Sequence, residues 1–204
     1  MKVIWTDESA FNVGGAPGRV FVTRTASEEF EASCLVPKFA KLETIHVWGS
    51  FCGTRLGPLL FWDKPTMGTR ITAKGYCENT VPYLEDFWDR VSRETEDYVY
   101  ILQDGSSIHK AKYTTKILKE KGLYNYLFPW CAKSSDLNLI EGVWRLMKAR
   151  ISSRSPRPQK NDTMRAAIQE EWDKINFQDL ENLIISMPVR VQALLSAQGG
   201  HTRF

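Results

Sequence analysis

Strand-like patterns occupy much of the first half of the chain. Residues 2–11 form an apolar, β-rich run that is interrupted only by Asp7 and Glu8. Residues 44–52 and 57–62 predict two more strands around a glycine-containing turn. Residues 98–102 are continuously apolar, which is typical of a strand buried on both faces. The irregular stretch at 12–43 between the first two strands is unusually long for a compact domain, and such loops are often functional.

Helical spacing of apolar residues dominates from residue 80 onward. We expect Thr80 to cap a helix over 82–93, and Gly122 to end a second helix over 108–121, with a short strand at 124–130 after it. Asn138 is the expected N-cap of a further helix. Its apolar stripe consists of Ile140, Val143, Trp144, Met147 and Ile151.

Helices alone are expected in the last quarter. A basic, Pro-containing connector at 152–160 precedes a helix capped by Asp162, then a second helix, and then a last one opened by Pro188. The order of elements is strands, then strand–helix alternation, then helices. It predicts an α/β fold with a mixed sheet flanked by helices and a helical C-terminal extension.

Composition excludes several classes of protein. The 204 residues are 43% hydrophobic and 25% charged, which is ordinary for one folded domain. No apolar run reaches the roughly 18 residues that a membrane span needs, so we expect no membrane partner. The start of the chain is too short and too soon acidic for a signal peptide. Four cysteines stand far apart without CxxC pairing, which indicates reduced thiols rather than a zinc site.

The net charge of +3 is unevenly distributed. Residues 1–104 carry 11 basic and 15 acidic side chains, whereas residues 105–204 carry 16 and 9. Between 110 and 160 there are 12 basic and 3 acidic residues. Such a surface suits a polyanionic partner, although a solvated basic face explains the charge about equally well.

Three separated acids are candidates for chemistry. Asp7 lies inside an apolar strand, where a carboxylate is costly to bury unless it is paired or metal-bound. Asp104 ends the apolar run at 98–102, where ligands of α/β sheets bind. Glu141 opens a helix, a favourable place for negative charge. Each also has a structural interpretation: Asp7 as the partner of a buried cation, Asp104 as a helix cap, and Glu141 as part of a capping box or an ion pair with Arg145.

Converging carboxylates make a site for hard divalent cations. Cleavage of a phosphodiester places negative charge on both the attacking and the leaving oxygen, and two divalent ions about 4 Å apart stabilise both. Mg²⁺ prefers oxygen ligands and retains several waters. Spacing alone does not decide whether these acids form such a site, since acids are common. Glu8 points to the other face of its strand and is the weaker ligand candidate.

Six short motifs in one order resemble the catalytic domain of Tc-one/mariner superfamily transposases, which carry a DDE triad. The motifs are TDES at 6–9, VWG at 47–49, GPL at 57–59, QDG at 103–105, DLNLIE at 136–141 and MPVRVQA at 187–193. The resemblance covers nearly the whole chain, and the last two motifs are the specific ones. It implies a ribonuclease-H-like fold with catalytic, metal-binding acids at Asp7, Asp104 and Glu141. The 36 residues between Asp104 and Glu141 are close to the usual separation in the family.

The same resemblance implies a domain organisation. Residues 1–151 would form the ribonuclease-H-like catalytic domain, with 12–43 as an insertion that clamps a partner subunit or DNA. Residues 152–204 would be the basic connector and C-terminal helices packed on that domain. The chain starts at the first catalytic strand, so the N-terminal helix-turn-helix modules of the family are expected to be absent. The chain departs from the family pattern at Gly105, Ser135 and Leu139, none of which is an expected ligand.

The activity implied is metal-dependent DNA cleavage and strand transfer in DNA transposition. The cofactor would be two Mg²⁺ ions, with Mn²⁺ as a substitute, and the partners would be double-stranded transposon ends and target DNA, bound by a homodimer. In a eukaryote the protein would be nuclear. Two alternatives remain: a catalytically idle or domesticated fragment that binds DNA or protein, and a ribonuclease H or other nuclease on the same scaffold.

Several further residues have expected roles. Asp136 is a rival third acid that matches a non-catalytic position of the family. The candidates for contact with DNA phosphates are Arg145, Lys148, Arg150, Arg154 and His109. For His109, a packed or capping role is about twice as plausible as a phosphate contact or support of the catalytic acids from behind. The seven tryptophans mostly fall on apolar faces, which favours core packing over base stacking.

Overall fold

The structure is a computed structural model that describes residues 2–14, 24, 25, 28, 31, 43–63, 67, 68, 70–131, 134–200 and 202. Most of the expected insertion at 12–43 therefore lies outside the described residues. The clamp interpretation of this segment stays a prediction.

A mixed sheet of four strands forms the centre of the described part of the chain. The strands are β1 (Lys2–Asn12), β2 (Thr44–Cys52), β3 (Arg55–Phe61) and β4 (Val99–Leu102), in the order β3-β2-β1-β4. β1 is antiparallel to β2, which is antiparallel to β3, while β1 and β4 are parallel. The turn between β2 and β3 needs a left-handed residue, and Gly53 supplies it with φ +58°. The four strands predicted at 2–11, 44–52, 57–62 and 98–102 are confirmed.

Helices follow in the order that the periodicity predicts. They are α1 (Ala73–Asn79), α2 (Val81–Arg93), α3 (Ser107–Lys110), α4 (Lys112–Glu120), α5 (Ile140–Ser152), α6 (Asn161–Asp173), α7 (Phe177–Ile185) and α8 (Met187–Ser196). The stripe expected on α5 is buried in full. No helix within the described ranges is long and apolar enough to cross a membrane.

Four local expectations are wrong. The single helix expected at 108–121 is divided into α3 and α4 because Ala111 is extended, with ψ 140°. The strand expected at 124–130 is a 3-10 helix at Tyr124–Tyr126 followed by one bridge from Leu127 to Ile101. The N-cap positions of α5 and α6 belong to Leu139 and Lys160, and not to Asn138 and Asp162. Helix α1 was missed because it spans only two turns.

Each face of the sheet is covered by its own core. On one face, Phe11, Val47 and Phe51 pack against α5, α6 and α7, where the Trp144 and Trp172 rings stack with centroids 5.4 Å apart. On the other face, Ile4, Trp48 and Ile101 pack against α1, α2 and α4. The helices after residue 152 therefore share a hydrophobic core with the sheet.

Gly49, on β2, allows the helices of the first core to pack close to the sheet. It pairs with Asp7 across the β1–β2 ladder. A Cβ at this position would lie 2.6 Å from the Trp144 ring and 2.8 Å from the Trp172 ring, well inside contact distance. The missing side chain thus lets α5, which carries Glu141, pack directly against the sheet beside Asp7.

Candidate active site

The strand register places two of the three candidate acids side by side. Trp5 and Leu102 are partners in the parallel β1–β4 ladder, and Asp7 and Asp104 each lie two residues further along. β1 continues through Asp7, whereas β4 has ended, so Asp104 lies in the loop at its carboxyl end. This is the edge at which ligands of open α/β sheets bind.

Buried hydrogen bonds at Thr6 connect the three segments that carry the acids. Thr6 Oγ1 donates a hydrogen bond to the Leu102 carbonyl at 2.7 Å, which joins β1 to β4 two residues before Asp104. Asn138 Nδ2 donates to the Thr6 carbonyl at 3.3 Å, three residues before Glu141. Asn138 was expected to cap α5. Instead it fixes the start of that helix to β1, next to Asp7.

The three acids line one open cavity of about 420 Å³. The remaining lining residues are Gly105, Trp130, Cys131, Ser134, Ser135 and Asn138. The structure therefore brings together Asp7, Asp104 and Glu141, which are separated by 97 and 37 positions in the sequence. Among the described residues, no three His, Cys, Asp or Glu side chains meet closely enough to form a ready ligand cluster. The acids surround the cavity rather than converge on one point.

The pKa of Asp7 is strongly raised in this cavity. Burial, together with the nearby charges of Glu141, Glu8 and Asp104, raises the pKa of its carboxyl group to about 8. Carboxylates that disfavour one another's ionisation in a cleft are a feature of functional sites. A divalent cation would offset this repulsion, and oxygen donors are the ligands that Mg²⁺ and Mn²⁺ prefer. The donor set thus fits a divalent cation.

Asp104 is held on one of its oxygens. Oδ1 accepts a hydrogen bond from the Ser106 backbone N–H at 2.9 Å and from His109 Nδ1 at 2.7 Å. The hydrogen bond from His109 lowers the pKa of Asp104 to about 2, so this acid is ionised at neutral pH. Burial of His109 opposes its protonation, but its bonds to Asp104 and Glu8 prevail and raise its pKa to about 10.

His109 is not placed to contact DNA, contrary to its inclusion among the phosphate-binding candidates. Its side chain is only 4% exposed, and its ring packs edge-on against Tyr76 with centroids 4.7 Å apart. Nε2 lies 3.4 Å from Glu8 Oε1. The interpretation of His109 as a packed side chain therefore fits the structure, and it packs directly behind a candidate catalytic acid.

The rival acid Asp136 faces away from the cavity. Its Oδ2 accepts a hydrogen bond from Thr202 Oγ1 at 2.9 Å, and its carbonyl accepts one from the buried Arg190 Nη1 at 2.7 Å. Arg190 Nε also donates to Ser186 Oγ at 2.8 Å. Asp136 therefore helps to attach α8 to the body of the domain, which agrees with its assignment as a non-catalytic position.

The candidate phosphate contacts divide into two groups. Arg145 and Lys148 are exposed on α5, the helix that carries Glu141. Arg150 pairs with Asp179 at 3.1 Å, and Arg154 pairs with Glu170 at 2.9 Å and with Glu171, so both are turned to neighbouring helices. Their role as DNA contacts stays a prediction.

One exposed cation at the cavity was missed in the sequence. A Cβ added to Gly105 would lie 3.0 Å from Lys110 Nζ, which places that ammonium group beside the residue that follows Asp104. Lys110 is one of five lysines between 110 and 121, and nothing in the sequence distinguishes it from the others. The break at Ala111 separates it from the four that follow.

Comparisons with known proteins agree with this geometry. A family model described as DDE superfamily endonuclease matches residues 70–165, a range that includes Asp104 and Glu141. The chain is 27% identical over 205 residues to the Tcb1 transposase of Caenorhabditis briggsae, with 98% of this chain and 70% of that protein covered. It is 26% identical to the Tc1 transposase of Caenorhabditis elegans, with 100% and 70% covered.

The fold is similar to that of solved transposase structures. One is a Mos1 transposase catalytic domain with raltegravir and Mg, with a TM-score of 0.70, 11% identity, and 98% of this chain and 85% of that chain covered. Another is a Mos1 mariner paired-end complex with Mn, with a TM-score of 0.75, 14% identity, and 98% and 56% covered. The expected ribonuclease-H-like fold is thereby confirmed.

Proposed function

We propose that this chain, which belongs to the Tc-one/mariner superfamily of DDE transposases, cleaves and transfers DNA strands at the cavity lined by Asp7, Asp104 and Glu141. The observation that carries the proposal is that three acids from distant segments line one cavity at the ligand-binding edge of the sheet. Two transposases whose sequences match 98% and 100% of this chain support it.

The cofactor that we propose is a pair of Mg²⁺ ions, for which Mn²⁺ can substitute. Asp7, Asp104 and Glu141 would hold them, and the Mos1 structures with Mg and with Mn support the choice of metals. When bound, divalent cations stabilise the negative charge that develops on the attacking and leaving oxygens of a phosphodiester. The mutual repulsion at Asp7 is the feature of this chain that a cation would relieve.

The roles of the three acids follow from their positions. Asp7 is fixed by the central strand, and its neighbour Thr6 is joined to the segments that carry the other two acids. Asp104 is held by Oδ1 and keeps its charge at neutral pH. Glu141 lies in the first turn of α5, which is packed against the sheet through the space above Gly49. The protein thus supplies an anionic cavity whose geometry is set before DNA arrives.

Double-stranded DNA is the proposed partner. Arg145 and Lys148 lie one and two turns along α5 from Glu141, and Lys110 lies beside Gly105, so exposed cations follow two of the three acids along the chain. Such side chains contact phosphates without reading sequence. We further propose that two copies assemble on paired transposon ends, since the Mos1 neighbours include paired-end complexes.

Nicking of supercoiled plasmid DNA in the presence of Mg²⁺ tests this function. Asp104→Asn and Glu141→Gln should lower the rate at least about a hundredfold, because each removes a negative charge that would hold a divalent cation at the reacting phosphate. Asp136→Asn is the matched control, since it changes an acid of the same motif that does not line the cavity, and it should nick DNA like the wild type.

The contrary results are specific. Equal nicking by Asp104→Asn and the wild type, with both proteins folded by circular dichroism, would exclude the assignment. Cleavage of an RNA–DNA hybrid in preference to duplex DNA would favour a ribonuclease H. Salt-dependent DNA binding by the wild type without any metal-dependent cleavage would favour the idle fragment.

A further inference from the structure

The carboxylate of Asp104 is restrained by two donors on one oxygen. The Ser106 backbone N–H donates to Oδ1 at 2.9 Å in an Asx turn, and Ser106 rather than Asp104 is the N-cap of α3. His109 adds a second, shorter bond of 2.7 Å to the same oxygen. We assign Nδ1 as the donor in this contact, since the oxygens of a carboxylate accept hydrogen bonds. Two donors on Oδ1 define the plane of the carboxylate, and they leave Oδ2 as the oxygen that can turn to a ligand in the cavity.

His109 is itself held from two sides. Its ring lies against the fully buried Tyr76, and its second nitrogen lies 3.4 Å from Glu8 Oε1. Nε2 of His109 and Oε1 of Glu8 are both buried, and neither makes a hydrogen bond within the described residues, so their ion-pair contact of 3.4 Å is what compensates each of them. A buried polar pair of this kind is costly unless the two groups compensate each other.

Glu8 connects this arrangement to the first catalytic acid. It follows Asp7 directly in β1, and its side chain points to the opposite face of the strand, as the alternation of β-strands requires. Asp7 therefore lines the cavity, while Glu8 reaches His109 behind it. A continuous path of three side chains, from Glu8 through His109 to Asp104, runs from the central strand to the loop after β4.

We propose that Glu8 and His109 are positioning residues of the catalytic centre, which fix Asp104 through Oδ1 so that its Oδ2 is presented to a divalent cation. The inference rests on the proposed function, because it concerns the same site. Groups that hydrogen-bond to a metal ligand from behind commonly change metal affinity by about 10–100-fold when they are altered. Glu8, the weaker metal-ligand candidate in the sequence, thus acts on the cation only through two other side chains.

Two substitutions of His109 test its two contacts independently: the hydrogen bond to Asp104 and the ion-pair contact with Glu8. In His109→Asn the amide nitrogen takes the position of Nδ1, so the bond to Asp104 can be kept while the contact with Glu8 is lost. In His109→Gln the amide nitrogen takes the position of Nε2, so the contact with Glu8 can be kept while the bond to Asp104 is lost. Glu8→Gln changes the outer partner without removing its volume. Tyr76→Phe is the control, since it alters a buried group that touches the His109 ring but does not bond to Asp104.

The affinity of the DNA-free protein for Mn²⁺ is measured by detecting the free ion with electron paramagnetic resonance. Thermal unfolding checks that each variant is folded. We expect His109→Gln to weaken Mn²⁺ binding by about 10–100-fold. His109→Asn and Glu8→Gln should weaken it less, and Tyr76→Phe should change the unfolding temperature but not the affinity.

Equal Mn²⁺ affinity of His109→Gln and the wild type would overturn the inference, as would equal losses in His109→Gln and Tyr76→Phe, which would indicate a purely structural role. If His109→Gln does not fold, Glu8→Gln decides alone, and unchanged affinity in that variant overturns the inference. The proposed function fails separately: a wild type that neither binds Mn²⁺ nor cleaves DNA would remove the metal site itself, and the inference with it.

Discussion

Charged side chains are arranged differently in the cavity lined by Asp7, Asp104 and Glu141 and in the layer of C-terminal helices. Around the cavity, acids from β1, the loop after β4 and α5 raise the pKa of Asp7 to about 8 through burial and mutual repulsion. In the C-terminal layer, acids and bases pair across helices: Arg150 of α5 with Asp179 of α7, and Arg154 with Glu170 and Glu171 of α6. Both regions carry several charged side chains, but Asp7 in the cavity lies among like charges, whereas the acids and bases named in the C-terminal layer neutralise one another.

The difference distinguishes functional from structural charge. A fold that is selected only for stability has no reason to keep like charges together in a cleft, because each costs free energy. Paired charges between helices restrict how those helices pack, and their cost is compensated locally. The sequence contains acids and bases in both regions, so composition does not reveal which kind a given residue belongs to.

The largest effect is expected when a pair in the C-terminal layer is broken. Glu171 is 4% exposed, and Arg154→Met leaves it with only the longer contact to Lys174, at 3.4 Å. We expect the free energy of unfolding in urea to fall by about 2–3 kcal/mol, because an acid then remains buried with reduced compensation. Lys174→Met, at a 59% exposed side chain, should cost at most about 1 kcal/mol.

The same variant tests the predicted DNA contact. If Arg154 is structural, Arg154→Met should keep its affinity for DNA under conditions in which it is fully folded. Unchanged stability together with weaker DNA binding would reverse the assignment of Arg154, and with it the contrast between the two regions.

A gain in stability is expected in the cavity. Burial and neighbouring charges hold the folded-state pKa of Asp7, about 8, well above the ordinary value of an aspartate, about 4, so its contribution to stability is present below pH 4 and is lost as the pH rises toward 8. Asp7→Asn removes this loss. In EDTA at pH 8 the variant should be more stable than the wild type by at least about 1–2 kcal/mol, since each unit of pKa shift corresponds to about 1.4 kcal/mol, while at pH 4 the two should be equal.

Thermal unfolding across this pH range, with metal removed, measures the effect. The control is Glu96→Gln, which removes an exposed acid far from the cavity and should not change stability in a pH-dependent way. A variant Asp7→Asn that is less stable than the wild type at pH 8 would mean that Asp7 has a compensating partner, and that the cavity is not a region of repulsion.

The smallest effect concerns the exposed cations near the cavity. Each phosphate contact contributes about 0.9 to the slope of log affinity against log salt concentration. Changing both Arg145 and Lys148 to Gln should therefore lower the slope for duplex DNA by about 2. Changing Lys116 and Lys119 on α4 gives the same loss of net charge on the other face of the sheet, and should lower it less. Equal slopes for the two pairs would indicate binding by net charge alone.

Much of the fold could be predicted from the sequence. The four strands and the buried stripe of α5 emerged from periodicity, because burial of one face repeats every two residues in a strand and about every 3.6 in a helix. The errors lie where non-local contacts override local preference. Asn138 looks like a cap because its type favours that position, but the Thr6 carbonyl, 132 residues away, binds its side chain instead.

The residues of the candidate site also divide into those that the sequence identified and those whose surroundings it could not show. Asp7, Asp104 and Glu141 were identified from their motifs, and the structure brings them to one cavity. Arg150, Arg154 and His109 were grouped with the exposed cations because a sequence does not show whether a basic residue faces water or an acid. Lys110, whose Nζ lies beside Gly105, was missed because nothing in the sequence distinguishes it from the four lysines that follow it.

By itself, then, the sequence determined the order of elements, the faces that become buried and the three acids within their motifs, because these follow from residue type and local spacing. Only the tertiary structure decided which charges stand unpaired in a cavity and which are neutralised between helices. It also decided that Glu8 and His109 lie behind Asp104. Electrostatic energies depend on distance and burial in three dimensions, and neither is encoded in the spacing of residues along the chain.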